Sequence, residues 1–200
     1  MRATARPGQA ERAVRSFEQA VSLLERGRDL PAVTAAEEAK GLTPRSGAVR
    51  EVLGIALYRA GRYRDALREL QAYRRITGRV DQNHLMADCL RALGAPEKAV
   101  AAAREAVSAR ISEEVRSEAG VVAASALADL GRTEEALAVL RGFAPSSRAA
   151  RPFDLRIWYV RGDILQRAGR NREAREEFSR VVRHDAQAFD AIERLEALGG

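Results

Sequence analysis

The chain reads as an all-α solenoid of five helix hairpins followed by a capping helix, and three regularities predict it. A glycine recurs at Gly27, Gly61, Gly94, Gly131 and Gly169, with gaps of 34, 33, 37 and 38 residues. An alanine follows each by five residues, at Ala32, Ala66, Ala99, Ala136 and Ala174. A leucine stands four before each, at Leu23, Leu57, Leu90, Leu127 and Leu165, and a small residue seven before, at Ala20, Gly54, Ala87, Ala124 and Gly162. A fixed period of this length marks two-helix units, none of which can bury its apolar face alone. Nine residues after each glycine comes Ala36, Leu70, Ala103, Leu140 or Phe178, one helical turn beyond the alanine and therefore on the same face.

The first unit, about 13–46, joins helices expected at 10–26 and 30–41. Pro31 falls in the first turn of the second helix, where a missing N–H costs nothing. The second unit, 47–79, joins helices at 47–60 and 63–77. The third, 80–112, joins 80–93 and 96–109, with Pro96 at the start of its second helix. In the fourth, 117–150, helices at 113–130 and 133–143 meet, and Thr133 ahead of Glu134 and Glu135 reads as an N-cap with acids near the positive helix end. The fifth, 155–186, joins 153–168 and 171–184. An unpaired helix at 187–198 follows. Its pattern places Phe189, Ile192 and Leu195 toward the stack and Asp190, Glu193 and Glu196 toward water, as a cap requires. Residues 1–9 are expected to be flexible, and 144–152, APSSRAARP, is the expected flexible loop. All five units together form one domain, 10–200.

Two units carry further columns: Leu53, Gly54, Leu57, Gly61, Ala66 and Leu70 in one, and Trp158, Gly162, Leu165, Gly169, Ala174 and Phe178 in the other. With Pro44 ending the first unit, these resemble the tetratricopeptide repeat, W-x2-L-G-x2-Y, then A-x3-F, then P. The likeness covers about residues 13–186. It departs from the pattern where Ser16, Arg50, Asn83 and Gly120 fill the tryptophan column and Arg161 replaces the usual leucine. The segment RVDQNHLMADCLRALG is also similar to uncharacterised tetratricopeptide proteins of high-GC bacteria, which supplies no activity.

This resemblance implies an adaptor or scaffold that holds a peptide or helix of a partner protein in a concave groove lined by the first helices. Offsets of 13, 10, 6 and 3 before each glycine track that side. They give Val14, Phe17, Val21 and Leu24; Ala48, Glu51, Ile55 and Tyr58; Asp81, His84, Asp88 and Arg91; Glu118, Val121, Ser125 and Ala128; and Arg156, Tyr159, Asp163 and Gln166. Such a groove begins apolar, becomes acidic through Glu51, Asp81, Asp88 and Glu118, and ends mixed. A basic, amphipathic segment is the partner it fits. Family members that clamp a chaperone's C-terminal carboxylate use Lys, Arg and Asn there, so that function does not carry over. The Val14, Phe17, Val21 and Leu24 stripe is either core, if the first unit is rotated, or a face covered by the first ten residues, a second copy of the chain in a homodimer, or a partner.

The alternative is a nucleic-acid or ribonucleoprotein factor. Net charge is +6, but only two of the 34 basic residues are lysine and 28 acids are interspersed. Arg64, Arg68 and Arg75 share one side of their helix and form the candidate phosphate-contacting stripe. No KH loop, zinc knuckle or RNP aromatic pair accompanies them. Asp81, His84 and Asp88 share one helix face but lack a fourth ligand, so neither metal nor cofactor is expected. The absence of a phosphate loop, nucleophile elbow or paired CxxC argues against an enzyme. Cys89 is the one cysteine and reads as a packing residue of a reducing compartment. With no apolar run of membrane-spanning length and no secretory h-region, a cytoplasmic location without membrane contact is expected.

Overall fold

The computed structural model describes residues 7–143 and 150–199, and all regular structure among them is helical. Eleven helices follow in order: α1 Ala10–Glu25, α2 Asp29–Leu42, α3 Gly47–Arg59, α4 Tyr63–Thr77, α5 Asn83–Ala92, α6 Pro96–Val107, α7 Glu113–Asp129, α8 Thr133–Arg141, α9 Pro152–Arg167, α10 Asn171–His184 and α11 Ala191–Ala197. The chain divides into two compact units, Met1–Ala95 and Pro96–Gly200, with the division inside the third repeat. None of these helices is long and apolar enough to cross a membrane.

The recurring glycines all sit at positive φ, from +67° at Gly27 to +76° at Gly94. Each terminates a first helix in the same way: the residue after the glycine donates its N–H to the carbonyl of the leucine four before it. Arg62 donates to Leu57 and Arg170 to Leu165, both at 2.9 Å. That six-to-one bond satisfies a carbonyl the helix end would otherwise orphan, and an L side chain resists the left-handed backbone it needs. So the glycine and leucine columns are one turn motif.

That turn sends the second helix back along the first, where the small column meets the column nine after the glycine. A Cβ added at Gly54 would stand 2.6 Å from Leu70 Cδ2, and one added at Gly162 would stand 2.7 Å from the Phe178 ring. Gly54, Leu70 and Phe178 are among the most deeply buried residues of their units. Close helix approach is thus obtained by pairing no side chain with a large one.

Within the first unit α1 packs on α2 and α3 on α4, while α2 against α3 and α4 against α5 join successive hairpins. The core comprises Ala20, Leu24, Ala32, Ala36, Leu53, Leu57, Ala66 and Cys89 among others. Glu69 is buried within it, held by Lys40 Nζ at 3.0 Å and Arg50 Nη1 at 2.5 Å. Within the second unit α6 packs on α7, α7 on α8 and α9, α8 on α9, α9 on α10, and α10 on α11. Glu177 holds the position equivalent to Glu69, eight after its glycine. Arg161 Nη2 pairs with it at 3.0 Å and Arg180 Nη1 at 3.4 Å. The arginine that replaces leucine in the repeat pattern is therefore matched by a buried carboxylate. Burial nevertheless raises the pKa of Glu177, against the lowering pull of Arg161 and Arg180.

Three local expectations are corrected. Thr133 is the first helical residue and not the cap, which is Arg132, whose guanidinium instead grips Glu135. The α5 helix begins at Asn83 because Gly78, at φ +71°, ends α4 and the chain must turn before restarting. At the C-terminus, Asp185 accepts the N–H of Gln187 at 2.9 Å and closes a turn, so α11 starts only at Ala191. Ala191 is buried and Leu195 half-buried, while Phe189, which precedes α11, and Ile192 are exposed. The expected flexible loop at 144–152 and the expected flexible N-terminus fall largely outside the described residues, through 144–149 and 1–6.

Two substitutions separate the roles of glycine. Gly61→Ala meets open space, so its loss measures the left-handed backbone alone, about 1–2 kcal/mol. Gly162→Ala drives a methyl into Phe178 and costs about 1–3 kcal/mol, which Phe178→Leu in the same chain offsets in part. Thermal melts of the wild type, the two glycine variants, Phe178→Leu and the double variant check this, and equal losses for Gly162→Ala with and without Phe178→Leu would contradict the contact. The buried ion pair makes its own prediction. Glu177→Ala strands Arg161 and lowers stability by about 3 kcal/mol or more, whereas Arg161→Leu together with Glu177→Leu loses much less, because a packed apolar pair needs no desolvation of charge. Denaturant titration of the single and double variants reads the difference.

Candidate functional site

In the first unit the first helices α1, α3 and α5 lie side by side. Their shared face carries most of the residues singled out by the 13, 10, 6 and 3 offsets. The apolar stripe of α1 splits. Leu24 belongs to the core, whereas Val14, Phe17 and Val21 are half-buried, because Ala13, Ser16, Ala20 and Leu24 form the packing side. On α3, Glu51, Ile55 and Tyr58 are half-buried, and Ala48 is exposed. Ile55 and Tyr58 rest against the core cluster, and the Tyr58 ring meets Tyr63 edge-on at 5.9 Å between centroids.

The carboxylates of this face are already engaged within the chain. Tyr58 donates its hydroxyl to Asp88 at 2.6 Å, and Arg91 Nε reaches the other oxygen of Asp88 at 2.9 Å. Gln82 donates to Glu51 at 2.8 Å. Asp81 accepts from the Tyr73 hydroxyl at 2.9 Å and pairs with Arg79. Burial, then the bond to Asp81, raises the Tyr73 pKa, so the phenol stays a donor. His84 Nδ1 donates to the Asp81 carbonyl at 2.9 Å, which fixes its tautomer. The arrangement ties α3 to α5 and α5 to α4.

The second unit repeats the scheme with α7, α9 and α11. Arg156 Nε pairs with Glu118 at 3.1 Å, joining α9 to α7. Arg194 Nη2 reaches Asp163 at 3.2 Å and its Nη1 reaches Gln166 at 2.8 Å, joining α11 to α9. The Tyr159 hydroxyl donates to Asp190 just before α11. Its ring lies 4.6 Å from Phe189 and 5.7 Å from Phe178. Val121 is buried core.

Pattern reading missed these ties. Their signal was present as polar pairs one period apart less a few residues: Tyr58 with Asp88, Glu51 with Gln82, Tyr159 with Asp190 and Asp163 with Arg194, separated by 30 or 31 residues. Of the carboxylates read as an open acidic strip, Glu51, Asp88 and Glu118 are half-buried connectors to the neighbouring repeat, whereas Asp81 lies ahead of α5 and accepts from Tyr73 of α4.

Arg64, Arg68 and Arg75 are exposed on α4. Asp65 takes Arg62 at 2.8 Å and Arg68 at 2.7 Å, which spends part of that stripe's charge. Cys89 is fully buried, and burial pushes its thiol up to about 12, leaving no thiolate for chemistry. Among the described residues no group of three His, Cys, Asp or Glu is arranged to hold a metal ion.

The profile of the tetratrico peptide repeat family matches residues 85–187, just over half of the chain. Comparison with curated protein sequences finds no match. Several solved structures share the fold. PilW, a widely conserved type IV pilus biogenesis factor, aligns with a TM-score of 0.76 at 16% identity over 94% of this chain and 86% of its own. A thermophilic TPR protein of Thermus thermophilus aligns at 0.71 and 17% identity, over 93% and 98%. YrrB, a TPR protein with an unusual peptide-binding site, aligns at 0.62 and 17% identity, over 92% of each chain. With its glycine-closed hairpins and this profile match, the chain belongs to the tetratrico peptide repeat family, whose fold generally mediates protein–protein interaction.

Proposed function

We propose that the chain is a non-enzymatic adaptor that holds an amphipathic, basic segment of a partner protein against the faces of its first helices. The observation that carries this reading is the half-exposed mixture on those faces: Phe17, Val21, Ile55 and Tyr58 offer apolar area, Glu51, Asp88, Glu118 and Asp163 place carboxylates beside it, and Asp81 adds one just ahead of α5. His84, Arg91 and Tyr159 complete the set. Rigid helices presenting such a surface lose little entropy on binding. Because each carboxylate already has an in-chain donor, an incoming cation gains only the difference between its own contact and that of Gln82, Tyr73, Arg91 or Arg156. Apolar contact with Ile55 and Tyr58 supplies the affinity, and the acids set register and orientation. The Arg64, Arg68 and Arg75 stripe gains no comparable support, since Asp65 already neutralises part of it. A cytoplasmic setting is the one this adaptor role fits.

Photo-crosslinking tests the face without disturbing its ties. A photoreactive residue at Ala48 or Ala128, both on first-helix faces, is expected to capture the same protein from the native lysate. The same probe at Arg68 or Arg172, on second helices, is expected to capture little of it. Capture that is equal at all four positions, or confined to Arg68, contradicts the reading; a captured species that is RNA favours the alternative.

A further inference from the structure

The C-terminal helix leaves a face that a cap would have covered. Phe189 is 48% exposed and Ile192 39% exposed, where the capping pattern expected both to be buried. Phe189 also stands at φ +58°, a backbone that a bulky side chain resists, and its ring is held outward against Tyr159. Beside these two residues Glu193 and Glu196 are exposed, and no described hydrogen bond or ion pair engages either carboxylate. On α10, beside Leu198, runs a groove whose charged lining is Arg172, Arg175, Glu176, Arg180 and Arg183. Its cations are weakly used: Arg172 stands 3.7 Å from Glu176, Arg175 donates to the Leu198 carbonyl at 3.1 Å, and Arg183 to the Ser179 carbonyl at 3.2 Å.

The two packed helices α10 and α11 therefore carry an apolar ridge and an unspent acidic edge on one and an arginine-rich groove on the other. A two-fold interface requires that a single surface complement itself, and this one does. We infer that α11 is a homodimerisation element: the α11 of each copy lies in the α10 groove of the other. Glu193 and Glu196 face the other copy's arginines, and Phe189 and Ile192 are covered between the copies. Charge complementarity selects a second copy over an unrelated partner, since both signs are supplied by neighbouring helices of the same chain. Of the adaptor face only Tyr159, against which Phe189 stacks, borders this interface; the remaining first-helix residues are not used, so that reading stands or falls separately.

Sedimentation velocity over a concentration series tests this, with circular dichroism confirming that each variant stays helical. The wild-type chain is expected to form a reversible dimer. Glu193→Arg with Glu196→Arg puts cations on both helices, and Arg172→Glu with Arg183→Glu puts anions on both; each pair is expected to weaken association about tenfold or more. An equimolar mixture of the two variants is expected to regain the dimer, because each then supplies the sign the other lacks at both contacts. Ile192→Ser, which changes no charge, is expected to weaken the dimer as well. A wild-type chain that stays monomeric overturns the inference and leaves the face to a different partner. Reversed variants that dimerise as tightly as the wild type overturn it too, as does a mixture that remains monomeric.

Discussion

The left-handed glycine that ends each first helix is the constraint from which the rest of the structure follows. By accepting positive φ it lets the next N–H close onto the leucine carbonyl, and this fixes the direction in which the second helix leaves. Direction then decides contact. The residue seven before the glycine must meet the residue nine after it, and the pair must fit: glycine against leucine or phenylalanine where one side is large. A chain with few aromatic residues and much alanine can still build a dense core this way, because close approach replaces side-chain bulk.

Polar ties add what close packing does not supply, a choice between registers. Alanine-rich helix faces slide past one another at low cost, and small side chains offer little to resist it. A tyrosine hydroxyl on one first helix and a carboxylate on the next, 2.6 Å apart, have one good alignment. The same holds for Arg194 with Asp163 and Gln166. The faces proposed to meet a partner are thus also the faces where the repeats are keyed together, and their carboxylates cannot be treated as unspent charge.

Much of the fold was legible from the sequence because its cause is local and periodic. Gly, Leu and Ala columns report backbone geometry directly, so helix boundaries were recovered to within a few residues except where short-range side-chain bonds intervened. Asp185 is such a case: its bond to the Gln187 amide closes a turn ahead of α11, which starts only at Ala191, and Phe189 and Ile192 are left exposed. At Thr133 the boundary itself was recovered, and only the capping role passed to Arg132. The candidate face was legible only in part. Helical offsets placed Glu51, Ile55 and Tyr58 together on α3 and Asp88 on α5, while Asp81 falls ahead of α5; but they describe one helix at a time. What Asp88 does depends on Tyr58, thirty residues earlier, and a pattern confined to a single helix has no access to that.

The buried carboxylates show the same dependence in the core. Glu69 and Glu177 occupy equivalent positions next to the large residue that fills the glycine gap, and each is met by arginine from the first helix of its own hairpin. An ion pair so placed gains little net stability, since desolvation consumes most of its attraction. Its effect is on alternatives. A hairpin that shifts by one residue loses the cation and is left with a buried charge, while an all-apolar contact between alanine-rich helices would tolerate the shift. Arg161 looks like a defect when its repeat is read alone, in the column where leucine is usual. Paired with Glu177 it becomes a second specification of the alignment that Gly162 and Phe178 already require, and this explains how the repeat keeps its geometry while departing from the pattern that defines it.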